Sequence, residues 1–151
     1  MPNSSREFFC EIRVSPSLPH IDSALSLKAL VQTATRRTCE CALRQCAPWD
    51  SVSEGDWPAS QMTAVATLRD PLLDEPTFLE FHPDGSRYDS PDAPIAPLFF
   101  PFNRCDIWHC GRCDQHWLRY TEFGGYYIDP RSRRLDPARV MDAPLPRTAA
   151  E

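Results

Sequence analysis

The chain has little lysine, little glycine and no long apolar run, and each shortage excludes something. Lys28 is the single lysine among 16 basic residues, the rest being arginine, a bias read as base composition of the coding DNA before it is read as function. Five glycines in 151 residues fit poorly with a phosphate-cradling loop, and neither Gly-x-Ser-x-Gly nor His-Glu-x-x-His occurs. Four histidines, His20, His82, His109 and His116, are scattered rather than clustered. No stretch reaches the roughly 18 apolar residues that cross a bilayer, and the first ten residues lack the apolar centre of a secretory signal. The expectation is a cytoplasmic protein without membrane contact and without an evident catalytic nucleophile.

Proline is the abundant residue, 16 of 151, against an ordinary share of about 5%. A backbone so often deprived of an amide donor cannot hold many long helices, so short strands and ordered coil should dominate. Hydrophobic content of 42% and charged content of 25% are ordinary globular values, and the length suits a single domain spanning 1–151. A flexible tail is expected from about residue 143.

Alternation marks a half-buried strand over residues 7–14, with Phe8, Cys10, Ile12 and Val14 on one face. A helix over about 23–36 follows from a capping residue, Asp22 or Ser23, and the spacing of Ala24, Leu27, Leu30, Val31 and Ala34. Further strands are expected over 61–68, 77–82, 105–109, 117–123 and 126–133. Gly124-Gly125 suits a two-residue hairpin turn with positive φ. It would set Phe123 against Tyr126, Thr121 against Ile128 and Trp117 against Ser132, and make Trp117, Thr121, Phe123, Tyr126 and Ile128 one core face. Ile95, Leu98, Phe99, Phe100 and Phe102 are too apolar for a free linker and should lie against the core. Asp136-Pro137 reads as the cap and first position of a short helix. The fold class is α+β: a mostly antiparallel sheet, one main helix, and a C-terminal part made of a zinc knuckle and a hairpin.

Seven cysteines in a reducing compartment point to metal ligands more than to disulfides. Cys39, Cys41 and Cys46 form one group, Cys105, Cys110 and Cys113 the other, and Cys10 stands alone. Cys110-Gly111-Arg112-Cys113 has the spacing with which two thiolates close a chelate ring on one ion. Zn2+ wants four such ligands, and Cys41 and Cys46 form the favoured second pair, since four intervening residues strain the ring less than one. Cys39, Cys105, His109 and His116 remain alternative ligands, and Cys110, Cys113 and His116 could supply three. A thioredoxin-like role is disfavoured because a strand, not a helix, follows Cys113.

Charge is unevenly placed. Residues 50–100 hold two basic and ten acidic groups, −8 of a total of −5, while the flanking thirds carry +2 and +1. A segment of that sign repels nucleic acid and attracts a basic protein, and aromatic rings beside the carboxylates make binding ground. Asp84, Tyr88, Asp89 and Asp92 are the candidate partner-binding residues. His82 beside Glu80 and Asp84, and Arg119 beside Glu122, could be imagined as catalytic pairs but read better as surface and ion-pairing groups.

The run Arg119-Tyr-Thr-Glu-Phe-Gly-Gly-Tyr-Tyr127 after Cys110-Gly-Arg-Cys113 resembles the immunity proteins that bacteria encode beside polymorphic or contact-dependent toxins. The likeness is one of general kind and covers about a quarter of the chain. It implies a non-enzymatic protein that binds one cognate toxin, often a nuclease with a basic face. Two other readings are carried beside it: a zinc-ribbon-like nucleic-acid-binding or accessory module, and a small zinc hydrolase or deaminase.

Overall fold

The computed structural model describes residues 17–32, 43 and 48–146. It is an α+β fold built on one antiparallel sheet. The strands are β1 (Asp50–Ser51), β2 (Met62–Thr67), β3 (Asp106–Cys110), β4 (His116–Phe123) and β5 (Ile128–Arg134), in the spatial order β1-β5-β4-β3-β2. Thus β2 to β5 run as a meander in sequence order, and the short β1 closes the far edge against Arg131 and Ser132. The outer edge of β2 is partly covered where His20 bridges Thr67 in parallel, Ile21 N donating to Thr67 O at 2.9 Å and Thr67 N to Pro19 O at 3.0 Å.

Helix α1 (Ala24–Gln32) begins where Ser23 Oγ accepts from Ser26 N at 3.1 Å, the side-chain cap that satisfies an otherwise orphaned first-turn amide. It buries Ala24, Leu27 and Val31, the i, i+3, i+7 stripe of an amphipathic helix. Those side chains join Trp49, Ala66, Ile95, Phe102, Ile107 and Leu118 in the larger core cluster. The expected continuation of the helix beyond residue 32, the strand over 7–14, and Cys10, Cys39, Cys41 and Cys46 lie outside the described residues.

The coil of residues 93–105 packs inward as its apolar content required: Ile95, Phe99 and Phe102 are buried, while Leu98 is left at the surface. An arginine fastens the start of this coil. Arg133 is fully buried and donates through Nη2 to Ala93 O at 2.7 Å. Burial, with the charge of Arg139 second, pulls its pKa down to about 10. Ala143, expected to begin a loose tail, is buried with Ala96 and Phe99. Asp136 caps the 3-10 turn Pro137–Arg139 by accepting from Ala138 N at 3.0 Å.

Three expectations need correction. Residues 77–82 form no strand. They are flanked by Pro76 and Pro83 and use their amides singly: Leu79 N bonds Thr77 Oγ1 at 3.1 Å, and Leu79 O accepts from Phe100 N at 2.8 Å. The β4–β5 hairpin turns one residue later than the glycine pair suggested. Gly124 N reaches Tyr127 O at 2.9 Å, and among the described residues only Gly85 and Asp114 take a positive φ. Pairing therefore shifts by two, with Phe123 opposite Ile128, Thr121 opposite Pro130 and Trp117 opposite Arg134. Finally, the hairpin's supposed core face is core only at its base. Trp117 is buried, but Phe123, Tyr126 and Ile128 are exposed. The cause is reach: β3 pairs only with His116 to Arg119 and β1 only with Arg131 and Ser132, so the outer half of the hairpin projects beyond both neighbours.

Candidate metal centre

Cys110 is the last residue of β3, and Cys113 lies in the turn that leads into β4. The turn is tied by its own backbone: Cys110 N donates to Gln115 O at 2.9 Å, Asp114 N to Cys110 O at 2.9 Å, and Gly111 N to Gln61 O at 2.7 Å. Asp114 takes the left-handed φ of 62° that closes it, a conformation aspartate tolerates better than most residues. Both cysteines are buried, packed with Val52, Trp57, Met62, Trp117 and Leu43. Gln61 Nε2 approaches Cys110 Sγ at 3.6 Å, a donor that suits a sulfur carrying negative charge.

Register decides which other ligands can join them. Residues directly opposite on neighbouring strands share a face. Cys110 faces Met62, and Trp108 faces Trp117, so these four lie on one side of the sheet. His109 faces His116 and Thr63, which places both histidines on the other side. Their rings are 5.1 Å apart, and His109 Nε2 meets Asp114 Oδ1 at 3.2 Å. Burial first, and the neighbouring His109 second, lower the His116 pKa to about 4. Among the described residues no three His, Cys, Asp or Glu side chains converge to hold an ion. The three-ligand set Cys110, Cys113 and His116 is therefore not assembled.

Cys105 is also remote. It belongs to the larger core cluster, on the far side of β3, and lies five residues of extended chain from Cys110, roughly 16 Å. Two sulfurs on one zinc are no more than about 4.6 Å apart. Its Sγ donates to Pro101 O at 3.3 Å, and burial, aided by the charge of Asp106, holds its pKa well above the ordinary thiol value. It is a neutral core thiol.

Leu43 is the informative neighbour. It is fully buried in the cluster that contains Cys110 and Cys113, and in the sequence it stands between Cys41 and Cys46.

The acidic face is a separate region. Asp84, Asp89 and Asp92 are exposed. Tyr88 is half-buried, its ring stacked on Trp49 with centroids 6.0 Å apart. A hydrogen-bonded chain runs beneath it. Arg131 Nη1 donates to the Tyr88 hydroxyl at 3.0 Å, the Tyr88 and Tyr120 hydroxyls are 2.6 Å apart, and the Tyr120 hydroxyl donates to Glu122 Oε1 at 3.2 Å. Arg131 Nε also donates to Asp129 Oδ2 at 2.9 Å, to which Ser51 Oγ donates at 3.0 Å. Burial raises the pKa of both phenols, and for Tyr120 the bond to Tyr88 adds to the rise. At Asp129 burial works upward, but the hydrogen bonds from Arg131 and Ser51 outweigh it and hold the carboxyl below its usual value.

The imagined catalytic pairs fare differently. Arg119 and Glu122 do not meet. Arg119 reaches Glu54 at 3.0 Å and lies over the Trp57 ring at 4.0 Å. A spacing of three in a strand sends the two side chains to opposite faces, a signal the sequence already carried. His82 does bond Glu80, through Nε2 at 2.7 Å, but its other nitrogen meets Ser86 Oγ at 2.8 Å. That pairing locks the turn around Gly85.

Among the described residues no helix is long and apolar enough to cross a membrane. No protein-family model, no curated protein and no solved structure matches the chain.

Proposed function

We propose that this chain is a non-enzymatic binding protein that captures a basic protein partner, in the manner of a toxin-neutralising immunity protein, on a scaffold clamped by a structural zinc ion. The observation that carries the reading is the exposure of Asp84, Asp89 and Asp92 around Tyr88, whose phenol is fixed to the sheet through Tyr120 and Arg131. Exposed charge on a pre-ordered loop steers an oppositely charged partner and loses little freedom on contact.

For the clamp, the proposed ligands are Cys41, Cys46, Cys110 and Cys113. Support comes from Leu43: it is buried in the cluster that contains Cys110 and Cys113, and in the sequence it stands two residues from Cys41 and three from Cys46, a separation of at most about 12 Å of chain. Four thiolates would saturate a tetrahedral zinc and leave no open position for hydrolytic chemistry. A zinc-ribbon-like nucleic-acid module is the second reading, favoured by the placement of Cys-x-x-Cys at the tip of the β3–β4 hairpin and opposed by the acidic middle third. The deciding experiment is co-purification with the product of the adjacent gene. A stable one-to-one complex supports capture; a salt-sensitive shift of DNA or RNA, with no protein complex, favours the second reading.

A further inference from the structure

Loop 70–80 holds its backbone in and its apolar side chains out. Leu72, Leu73, Phe78 and Leu79 are 89%, 53%, 72% and 45% exposed, although side chains of this kind are ordinarily interior. The backbone, in contrast, is fastened at several points. Leu72 N donates to Asp70 Oδ1 at 2.9 Å. Leu73 N donates to Asp70 O at 3.2 Å and Phe100 N to Leu79 O at 2.8 Å. From the sheet side, Arg104 Nη2 reaches Pro76 O at 2.8 Å, and the buried Asn103 Nδ2 reaches Thr77 O at 2.9 Å. The Phe78 ring is braced as well, with the Arg104 guanidinium 4.1 Å from its centroid and the Phe100 ring at 5.4 Å. The loop has thus already lost much of the freedom that binding would otherwise cost, yet it leaves much of its apolar surface in solvent.

Charge selects the occupant. Residues 70–80 contain Asp70, Asp74, Glu75 and Glu80 and no basic residue. The adjoining Arg69 is bound to Asp106 at 3.0 Å, and Arg104 is laid over Phe78. An anionic membrane surface would be repelled. A second copy would bring the same four carboxylates face to face. A basic protein segment bearing apolar side chains matches both features at once.

We infer that loop 70–80 is the anchoring surface for a cationic, apolar-studded segment of a protein partner, with Leu72, Leu73, Phe78 and Leu79 supplying the buried contacts. The inference rests on the capture reading above and divides its labour: Asp84, Asp89 and Asp92 speed the encounter, whereas loop 70–80 sets the lifetime of the complex. The test is to pan a library of random displayed peptides on the full chain and measure Kd for the enriched sequences. Enriched peptides should interleave Arg or Lys with Leu, Phe or Trp. Leu72→Ser and Phe78→Ser should each raise Kd about tenfold or more with an unchanged Tm, and Asp84→Asn with Asp89→Asn and Asp92→Asn should raise it less. Binding that ignores the loop variants but is lost in the triple Asn variant overturns the anchoring role and leaves acidic capture standing. Binders without cationic bias, or no binders at all, overturn both. A chain that dimerises, and is made monomeric by Leu72→Ser, shows the patch to be a self-interface and overturns the inference.

Discussion

Leu43 and Cys113, seventy positions apart in the chain, are both fully buried in one cluster on the side of the sheet that carries Trp57 and Trp117. Burial in a shared cluster at this separation gives no direct signal in the sequence, because Leu43 sits in a stretch whose cysteines dominate any reading of it. It also makes Leu43 a sensor of whatever holds that side together.

Truncating Leu43 should therefore do two things. Removing a fully buried leucine side chain costs about 2–5 kcal/mol through lost transfer energy and the cavity left behind. For a chain of this size that corresponds to a fall in Tm of roughly 2–4 °C per kcal/mol. If Leu43 also seats Cys41 and Cys46, Leu43→Ala should weaken zinc retention against a competing chelator. Thermal unfolding with and without chelator measures both effects.

The hydroxyl chain from Arg131 through Tyr88 and Tyr120 to Glu122 should show in the pH dependence of stability. Both phenols have folded pKa values above the ordinary 10. Their contribution is complete below pH 10 and is lost as pH climbs beyond it, because the unfolded state ionises first. Asp129 has the opposite sign. Its depressed pKa stabilises the fold above the ordinary value of 3.8 and ceases to do so as pH falls through the folded value. Tyr120→Phe should cost about 1–3 kcal/mol at neutral pH, since it removes the bonds from Tyr120 to the Tyr88 hydroxyl and to Glu122 and leaves each only its contact with Arg131, and it should flatten the alkaline limb. Denaturant titrations from acid to alkaline pH report each change.

Charge reversal should separate steering from anchoring. With a purified partner in hand, Asp84→Lys, Asp89→Lys and Asp92→Lys together should slow association by about tenfold at low salt. The difference should shrink as salt screens the exposed charges, while the dissociation rate stays nearly constant. Stopped-flow association at two ionic strengths is the measurement. Equal rates for the native and reversed proteins at low salt would remove the acidic surface from the account.

What the sequence revealed follows from how local each signal is. Ser23 with Ala24, Leu27 and Val31, and Asp136 with Pro137, are each complete within a few residues, and each appears as expected. The strand expected over 61–68 also forms, but a register shift between Ala64 and Ala66 sets Met62 opposite Cys110 and Ala66 opposite Ile107, so the two residues serve different core clusters. The Cys110-x-x-Cys113 turn is equally local. The failures come from competition that a short window cannot show. Thr77 to His82 has the alternation of a strand, but no partner strand lies beside it among the described residues: Leu79 N goes to Thr77 Oγ1, and the carbonyls of Thr77 and Leu79 accept from Asn103 Nδ2 and Phe100 N. Gly124-Gly125 offered a left-handed turn that neither residue adopts. Phe123, Tyr126 and Ile128 have strand-like apolar side chains, but nothing in their own neighbourhood tells that β3 and β1 stop short of them. Arg133 is buried, yet no feature within its strand distinguishes it from Arg131 or Arg134. The turned-in carbonyls of Ala93 and Pro91, some forty residues away, explain its place.

The sharpest test is metal analysis of the purified protein, native and substituted. One zinc per chain is expected in the native protein, lost in Cys41→Ser, Cys46→Ser, Cys110→Ser and Cys113→Ser and retained in Cys105→Ser. A native chain that folds without zinc, or a Cys41→Ser, Cys46→Ser double variant that keeps its metal, would contradict that expectation.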